Sequence, residues 1–218
     1  MLIPMGNLNE FHEPNNFFTV ERPDFHSKLI PSSWQQAGFG VWGSKGDISY
    51  RFYLTNAISS LDETRKVRQT DFIRKGRSQI TEGLLVNNVA VTGRVEKKTV
   101  GGQAGFSFYT AGSTGDHIDA DGQLTIIEAD YKTKRGAFDL DFGVMKGWLE
   151  DTKEINNACG TAYGLACSAV APESAFGLLA TVAVHLPELM NMNTIHDLIP
   201  FIQYQKVRPN DEEGVGST

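Results

Sequence analysis

The feature that most constrains the fold of this chain is a strict alternation of apolar and polar residues. Between residues 48 and 55, one face would carry Ile48, Tyr50, Phe52 and Leu54, and the other Ser49, Arg51, Tyr53 and Thr55. Because successive side chains of a β-strand point to opposite sides, this period of two predicts a strand with one apolar and one polar face. The same pattern recurs at residues 104–110, with Phe106 and Phe108, and at 138–144, with Phe138, Leu140 and Phe142.

Weaker alternation extends this interpretation along the chain. It predicts further strands at residues 38–43, 84–97, 124–132, 176–186 and 198–207, with residues 2–5 as the end of another. The total is about nine strands, many of them near the roughly 9 to 11 residues that cross a bilayer when tilted.

The connections between these strands alternate between short and long. Residues 44–47, 98–102 and 133–136 are turn-sized and contain glycine, whereas residues 7–37, 57–82 and 149–174 are long. Segments 112–122 and 187–197 are intermediate and fit either class. Successive hairpins of an up-and-down barrel place short turns at one end and long loops at the other. The sequence therefore predicts an all-β, antiparallel up-and-down transmembrane β-barrel, with long loops at one end.

Composition excludes two other classes. A formal charge of −6 and a pI near 5.4 argue against a nucleic-acid-binding protein, which usually has a basic face and a basic total. No apolar run reaches the roughly 20 residues of a membrane helix. A mean hydropathy of −0.26 is compatible with barrel strands, whose lipid-facing and lumen-facing residues average out.

The sequence leaves open whether the protein is exported. The first residues show no basic region, apolar core or small-residue cleavage site of a signal peptide. Cys159 and Cys167 can close a loop as a disulfide in an oxidising compartment, or remain thiols.

Two groups of residues resemble metal sites. Residues 117–128 carry acidic residues and a glycine at several EF-hand positions, but His117 replaces the first ligand and strands flank the segment, so we expect a polar hairpin loop. A second group has metal-ligand residue types without a recognised spacing and is interpreted as a solvated loop; its members are Glu10, His12, Glu13, Asp24 and His26. The sequence thus predicts neither a metal nor a cofactor.

Four carboxylates on two predicted strands allow two interpretations. Glu128 and Asp130 share one face of their strand, as do Asp139 and Asp141. Paired carboxylates supply the acid and base of glycoside hydrolysis, as in a soluble exported β-sandwich. We favour a hydrated lumen opposite lipid-facing Phe138, Leu140 and Phe142, with no catalytic residues.

A basic stretch is the other candidate for function. It contains Arg65, Lys66, Arg68, Arg74, Lys75 and Arg77 in an otherwise acidic chain. Such a run is usually a solvated surface, but rings of Lys and Arg also select anions in pores, and Arg51 points to the same polar side.

Several segments resemble the porin-like outer-membrane proteins of Gram-negative bacteria, specifically the phosphate-selective and carbohydrate porins. They are residues 11–14, 21–23, 30–40, 48–56, 73–77, 128–131, 136–140 and 199–204. The resemblance implies an antiparallel barrel of roughly 16 strands with some loops folded into the lumen as a constriction. Full members carry a signal peptide and more strands, so we expect residues 1–218 to be a single porin-like segment, incomplete at both ends, that does not close a pore alone.

The leading hypothesis is therefore an outer-membrane channel that passes small hydrophilic solutes, with anions favoured if the basic stretch and Arg51 line it. Its partners would be outer-membrane lipid and the solutes, with no nucleic acid, and the full-length protein would form a homotrimer as many porins do. The alternative is a soluble exported β-sandwich that binds or hydrolyses carbohydrate. The orientation of Tyr50, Phe52, Phe106 and Phe142 separates the two, since a sandwich buries them between sheets and a barrel exposes them.

Overall fold

A single antiparallel β-sheet organises the computed structural model of the chain. The structure describes residues 1–10, 17–31, 33–58, 72–74, 89–112, 122–155, 171–190 and 198–211. In these ranges, eight strands pair with their neighbours in sequence order, in an up-and-down meander. Neither β1 nor β8 has a partner on its free side among the described residues, so the sheet is open.

The strand bounds agree with the alternation in the sequence. The strands are β1 Gly38–Lys45, β2 Ile48–Asn56, β3 Val89–Thr99, β4 Gly102–Gly112, β5 Gln123–Arg135, β6 Phe138–Leu149, β7 Ser174–Val184 and β8 Phe201–Arg208. The predicted all-β, antiparallel up-and-down arrangement is confirmed. Of the predicted strand at residues 84–97, the part before Val89 lies outside the described residues.

The three short connections are tight turns at one end of the sheet, which we call the tight-turn end. They join β1 to β2, β3 to β4 and β5 to β6. Gly46 and Gly136 adopt φ of +59° and +55°, a left-handed conformation that only glycine adopts without strain. Three longer connections lie at the opposite end, and residues 185–200 connect β7 to β8 at the tight-turn end.

The two faces of the sheet have different surroundings. On the outer face, register places the apolar alternate residues of neighbouring strands side by side, for example Phe52, Gly93 and Phe108. Phe52, Phe106 and Phe142 are 39%, 49% and 41% exposed. Tyr50, Phe138 and Leu140 are exposed on the same face, and Phe108 is partly exposed. Among the described residues no second sheet covers them, so they do not interdigitate as a sandwich core would.

The inner face is covered by the N-terminal segment, by which we mean the described part of residues 1–37. This segment contains a π-helical turn, Gly6–Glu10, and a short helix, Asp24–Ser27. Its fully buried apolar side chains pack on the sheet and are Ile3, Met5, Leu8, Phe25, Leu29, Ile30 and Trp34. The Trp34 ring lies 4.5 Å from that of Tyr109 on β4. The long predicted loop at residues 7–37 is thus, where described, part of the core.

The predicted strand at residues 2–5 is wrong. Leu2 forms only an isolated bridge with Gln35, and the backbone N–H of Ile3 donates to the carbonyl of Trp34. Ile3 and Met5 are both buried in the core. Their alternation therefore reflects packing against the inner face and not hydrogen bonding to a neighbouring strand. The described sheet therefore has eight strands where about nine were expected.

Helices contribute little to the described structure. Apart from the N-terminal turns, a short helix at Leu186–Met190 lies in the connection between β7 and β8. No helix within the described ranges has both the length and the apolar character required to cross a membrane.

Inner-face glycines form hollows that receive the N-terminal segment. A Cβ added to Gly143 on β6 would lie 2.9 Å from Cε1 of Phe25 and 3.2 Å from Nδ2 of Asn7. A Cβ at Gly177 on β7 would lie 2.5 Å from Leu29 and 2.9 Å from the same Phe25 ring. The Phe25 ring therefore occupies space that these two glycines leave open, which fixes the position of the segment on the sheet.

We predict that Gly143→Val lowers the free energy of unfolding by about 1–3 kcal/mol through overpacking against Phe25. Phe25→Ala alone should cost about 3–5 kcal/mol because it leaves a cavity. In the Phe25→Ala background, Gly143→Val should cost clearly less, since the ring it clashes with is gone. Urea unfolding of the four proteins measures the coupling.

The matched control is Ala180→Val on the outer face, where Ala180 pairs with Phe142. We expect a change within about 0.5 kcal/mol there. Additive costs of Gly143→Val and Phe25→Ala would contradict the packing described above.

Candidate functional site

The polar side chains of the inner face converge on one buried charge cluster. Register places Arg51 of β2, Arg94 of β3, Ser107 of β4 and Glu128 of β5 in one row across the sheet. Glu96 and Asp130 lie in the next row, with Gly105 of β4 between them. The period of two that exposes the aromatic residues on the outer face thus brings these charges together on the inner face.

Arg94 is the centre of the cluster, and its side chain is 0% exposed. Its Nη1 and Nη2 donate to the two carboxylate oxygens of Asp130 at 2.5 and 2.9 Å, a bidentate pair. Its Nε donates to Oε1 of Glu96 at 2.7 Å, and Nη1 also donates to the Ser107 hydroxyl at 2.8 Å. The guanidinium is therefore enclosed by carboxylates and a hydroxyl that offset the cost of its burial.

Two glycines leave the space that the guanidinium occupies. A Cβ at Gly105 on the sheet, or at Gly6 in the N-terminal segment, would overlap the Arg94 guanidinium. Arg94 is thus held between the sheet and the π-helical turn, and Gly6 seals it from water on the side away from the strands.

Glu10 connects the N-terminal segment to the cluster. Its Oε1 forms an ion pair with Nη1 of Arg51 at 3.0 Å, and its Oε2 lies 3.6 Å from Nε of Arg94. Arg51 also pairs with Glu96 at 2.7 Å. Burial raises the pKa of Glu10 above its ordinary value, although the two arginines act in the opposite direction. The π-helical turn is fixed further by its backbone, because Leu8 N–H donates to Glu128 Oε1 at 3.2 Å.

A cavity of about 690 Å³ lies at the tight-turn end. Its lining contains side chains of both charges, together with Phe18 of the N-terminal segment; the charged members are Lys98, Lys132, Lys134, Asp139 and Asp141. Asp141 accepts from Nδ2 of Asn7 at 2.8 Å, and Asp139 lies 2.8 Å from Nε2 of His185. The cavity lining therefore contains both positive and negative side chains.

The structure places the predicted inner-face residues on the inner face, in two different environments. Arg51, Glu128 and Asp130 belong to the buried cluster, where Glu128 and Asp130 have fully buried side chains. Asp139 and Asp141 line the cavity. The structure thus separates the four predicted carboxylates into a buried pair and a cavity-lining pair.

Only part of the basic stretch can be compared with the structure. Arg74 is exposed. Burial lowers the pKa of Arg22, and the nearby positive charge of Arg74 lowers it further. Arg65, Lys66, Arg68, Lys75 and Arg77 lie outside the described residues, as do Cys159 and Cys167.

The interpretation of Glu10 and His26 as a solvated loop is wrong. Glu10 has a 12% exposed side chain paired with Arg51, and His26 is 2% exposed with its Nδ1 against the backbone oxygen of Asn7. Asp24 is half exposed and pairs with Lys28, while His12 and Glu13 lie outside the described residues. Among the side chains the structure describes, no three His, Cys, Asp or Glu residues are grouped to hold a metal ion.

The EF-hand-like segment can be assessed only at its end. Residues 113–121 lie outside the described ranges, and Gln123–Arg135 is a strand where an EF-hand needs its second helix. Glu128, at the last position of the calcium-loop pattern, is fully buried beside Arg94.

Sequence reasoning missed Arg94, Glu96 and Glu10 as members of one cluster. Arg94 and Glu96 alternate with apolar Val95, which signals an inward-facing pair on β3. Their alignment with Arg51 and Asp130 required the register of four strands, and the position of Glu10 has no periodic signal.

Comparison with known proteins gives little functional information. The chain is 36% identical over 98 residues to an uncharacterized protein of Aquifex aeolicus (strain VF5), a match covering 45% of this chain and 22% of that protein. The match thus spans about a fifth of the relative's length. No protein-family model matches the chain. No solved structure matches it either.

We predict that Arg94→Met lowers the free energy of unfolding by about 3–5 kcal/mol, because Asp130 and Glu96 are then buried without their counter-charge. The double variant Arg94→Met/Asp130→Leu should recover part of this loss. Urea unfolding, together with trypsin protection of the N-terminal segment, measures both effects.

Arg208→Met is the matched control, since Arg208 pairs with Asp211 but has a 47% exposed side chain. Its removal should cost less than about 1 kcal/mol. Equal losses for Arg94→Met and Arg208→Met would contradict a structural role for the buried cluster.

Proposed function

We propose that this chain is part of an outer-membrane β-barrel channel that passes small hydrophilic solutes by diffusion and has no catalytic residues. The observation that carries the proposal is the outer face of the sheet, whose large apolar side chains the rest of the described structure leaves uncovered. In a water-soluble monomer, contiguous exposed apolar patches of this extent are rare.

The distribution of aromatic residues on this face supports a bilayer as its solvent. Along β6, Phe138 is exposed at the tight-turn end and Trp148 is exposed near the other end. Between them lie exposed aliphatic and phenylalanine side chains such as Leu140 and Phe142. Transmembrane barrels have the same order, an apolar band between two aromatic girdles.

The open edges indicate that the proposed channel contains more strands than these eight. In hydrocarbon, the unpaired N–H and C=O groups of β1 and β8 would each cost several kcal/mol. A closed barrel removes both edges. We therefore propose that β1 and β8 pair with further strands in the membrane, and that the eight strands form one sector of the wall.

The inner face supports a narrowed lumen. The N-terminal segment fills the space above β3 to β7, where Arg94 and Asp130 hold it in place through Gly6 and Glu10. The cavity of about 690 Å³ lies at the tight-turn end. In the proposed channel, solutes pass beside the N-terminal segment, which acts as a constriction.

The alternative of a carbohydrate-hydrolysing sandwich has less support. Its candidate acid and base include Glu128 and Asp130, whose side chains are 0% exposed and lie beneath the N-terminal segment beside Arg94. A sugar cannot approach carboxylates in that position without removal of the segment.

We predict that, in the closed barrel of which these strands form one sector, Phe142→Lys weakens folding into phosphatidylcholine vesicles by about 2–4 kcal/mol, because a charge among the apolar side chains of the outer face would face the acyl chains. The fraction of protein that floats with the vesicles and resists protease, measured over a urea series, gives this difference.

Val20→Lys is the matched control, since Val20 is fully exposed and lies outside the sheet. It should leave vesicle folding unchanged. A soluble protein would tolerate Phe142→Lys as well as Val20→Lys, and that outcome would refute the membrane assignment.

For the channel itself, we expect Arg74→Gln to lower the permeability ratio of chloride to potassium, since it removes a positive charge of the basic stretch. Reversal potentials in planar bilayers containing the closed barrel measure the ratio. Lys206→Gln, which removes a charge from the outer face, should not change it. An unchanged ratio in Arg74→Gln would remove the basic stretch from the ion path.

A further inference from the structure

The charges of the sheet are divided between its faces in an unusual way. All acidic residues of the eight strands lie on the inner face: Glu96, Glu128, Asp130, Asp139 and Asp141. The outer face of these strands has basic residues and no acidic one: Lys45, Lys97, Arg135, Lys146, Lys206 and Arg208. In a chain with a net charge of −6, the outer face alone is purely cationic.

Three of these bases form a rim on the outer face at the tight-turn end. Ile48 pairs with Lys45 on one side and with Lys97 on the other, so the two lysines lie in one row, about 10 Å apart. The row continues through Ala104 to Tyr131 on β5. Arg135 ends β5 and pairs with exposed Phe138 across the turn. We call Lys45, Lys97 and Arg135 the basic rim.

The basic rim lacks neutralisation from the described part of the protein. All three side chains are exposed, and no described acidic side chain forms an ion pair with them. Two of the other outer-face bases differ, since Lys146 and Arg208 both pair with Asp211, at 2.7 and 2.9 Å. Those pairs lower the pKa of Asp211, and its carboxylate compensates one of the two positive charges at that end of the face.

We propose that the basic rim binds the phosphate groups of anionic lipid headgroups at the tight-turn end of the membrane-facing surface. The inference rests on the proposed membrane function, and it adds the class of lipid and the position of its binding. Lys45 and Arg135 lie at the turn ends of β1 and β5, where the outer face ends, and Lys97 lies two residues before the end of β3. Arg135 is beside exposed Phe138, at the depth of an aromatic girdle. At that depth the aliphatic stems of the basic side chains cover the band and their charged ends reach the headgroups.

The test compares the closed barrel that contains these eight strands with two variants of it, each lacking three positive charges. Lys45→Gln/Lys97→Gln/Arg135→Gln removes the basic rim. Lys98→Gln/Lys132→Gln/Lys134→Gln removes three charges near the same turns from the inner side of the sheet. Each protein is diluted from urea into vesicles of phosphatidylcholine, or of phosphatidylcholine with about 30% phosphatidylglycerol, and the partition coefficient is obtained by flotation at low ionic strength.

A basic residue near an anionic membrane surface contributes roughly fivefold to binding. The basic-rim variant should therefore lose roughly tenfold or more of its partition into the phosphatidylglycerol vesicles and keep that into phosphatidylcholine. The inner-side variant should match the wild type in both. Partition into phosphatidylcholine also reports that each variant still folds into a bilayer.

The remaining outcomes separate the two proposals. If the basic-rim variant equals the wild type on both vesicles while all three proteins insert, the headgroup site is refuted and the membrane function stands. If the inner-side variant loses as much as the basic-rim variant, binding reflects total charge, and the site is again refuted. If the wild type binds only phosphatidylglycerol vesicles and stays protease-sensitive there, the membrane-spanning function is refuted and a surface interaction of the basic rim remains.

Discussion

The burial of the Arg94 guanidinium is the interaction on which the inner side of this structure depends. A charge without exposure is tolerated only when neighbouring groups replace its hydration, and Asp130, Glu96 and Ser107 do so from two rows of the sheet. These groups cover the guanidinium laterally, and Gly6 of the N-terminal segment closes it from above. The N-terminal segment and strands β3 to β5 are consequently one unit, and neither would keep its arrangement without the other.

This dependence explains the small residues of the inner face. Bulky apolar residues there would fill the hollows that now receive Phe25 and the guanidinium, so Gly105, Gly143 and Gly177 occupy the positions beneath them. The outer face has no such requirement, because nothing in the described structure packs against it, and it retains large side chains such as Phe52 and Phe142. The two faces of one sheet thus have two environments, an interior of apolar and paired charged side chains closed by the chain itself, and an apolar exterior that the described structure leaves open.

The sequence predicted the sheet well because strands and turns have local signals. Period-two alternation located β2, β4 and β6, and glycine-containing turns gave the tight-turn end. The N-terminal segment was not predicted, since its contacts join residues separated by long stretches of sequence, such as Asn7 with Asp141. For the same reason the sequence predicts Glu10 and His26 to be solvated, because isolated polar side chains in a segment without periodicity give no sign of burial. The cluster around Arg94 required the register of four strands. The registers of β2 with β3 and of β4 with β5 do not follow from a short turn, because long connections join these strands.

The charge balance of the inner face limits how the proposed channel could discriminate between ions. The inner sides of the strands carry Arg51, Arg94, Lys98, Lys132 and Lys134 against Glu96, Glu128, Asp130, Asp139 and Asp141, so their charges cancel. The members at the centre are also paired with one another, which removes their field from the lumen within a few ångströms. A preference for anions therefore cannot come from the strand walls described here. It has to come from segments between the strands, and the basic stretch between β2 and β3, to which exposed Arg74 belongs, is the segment of this chain with the charge to provide it.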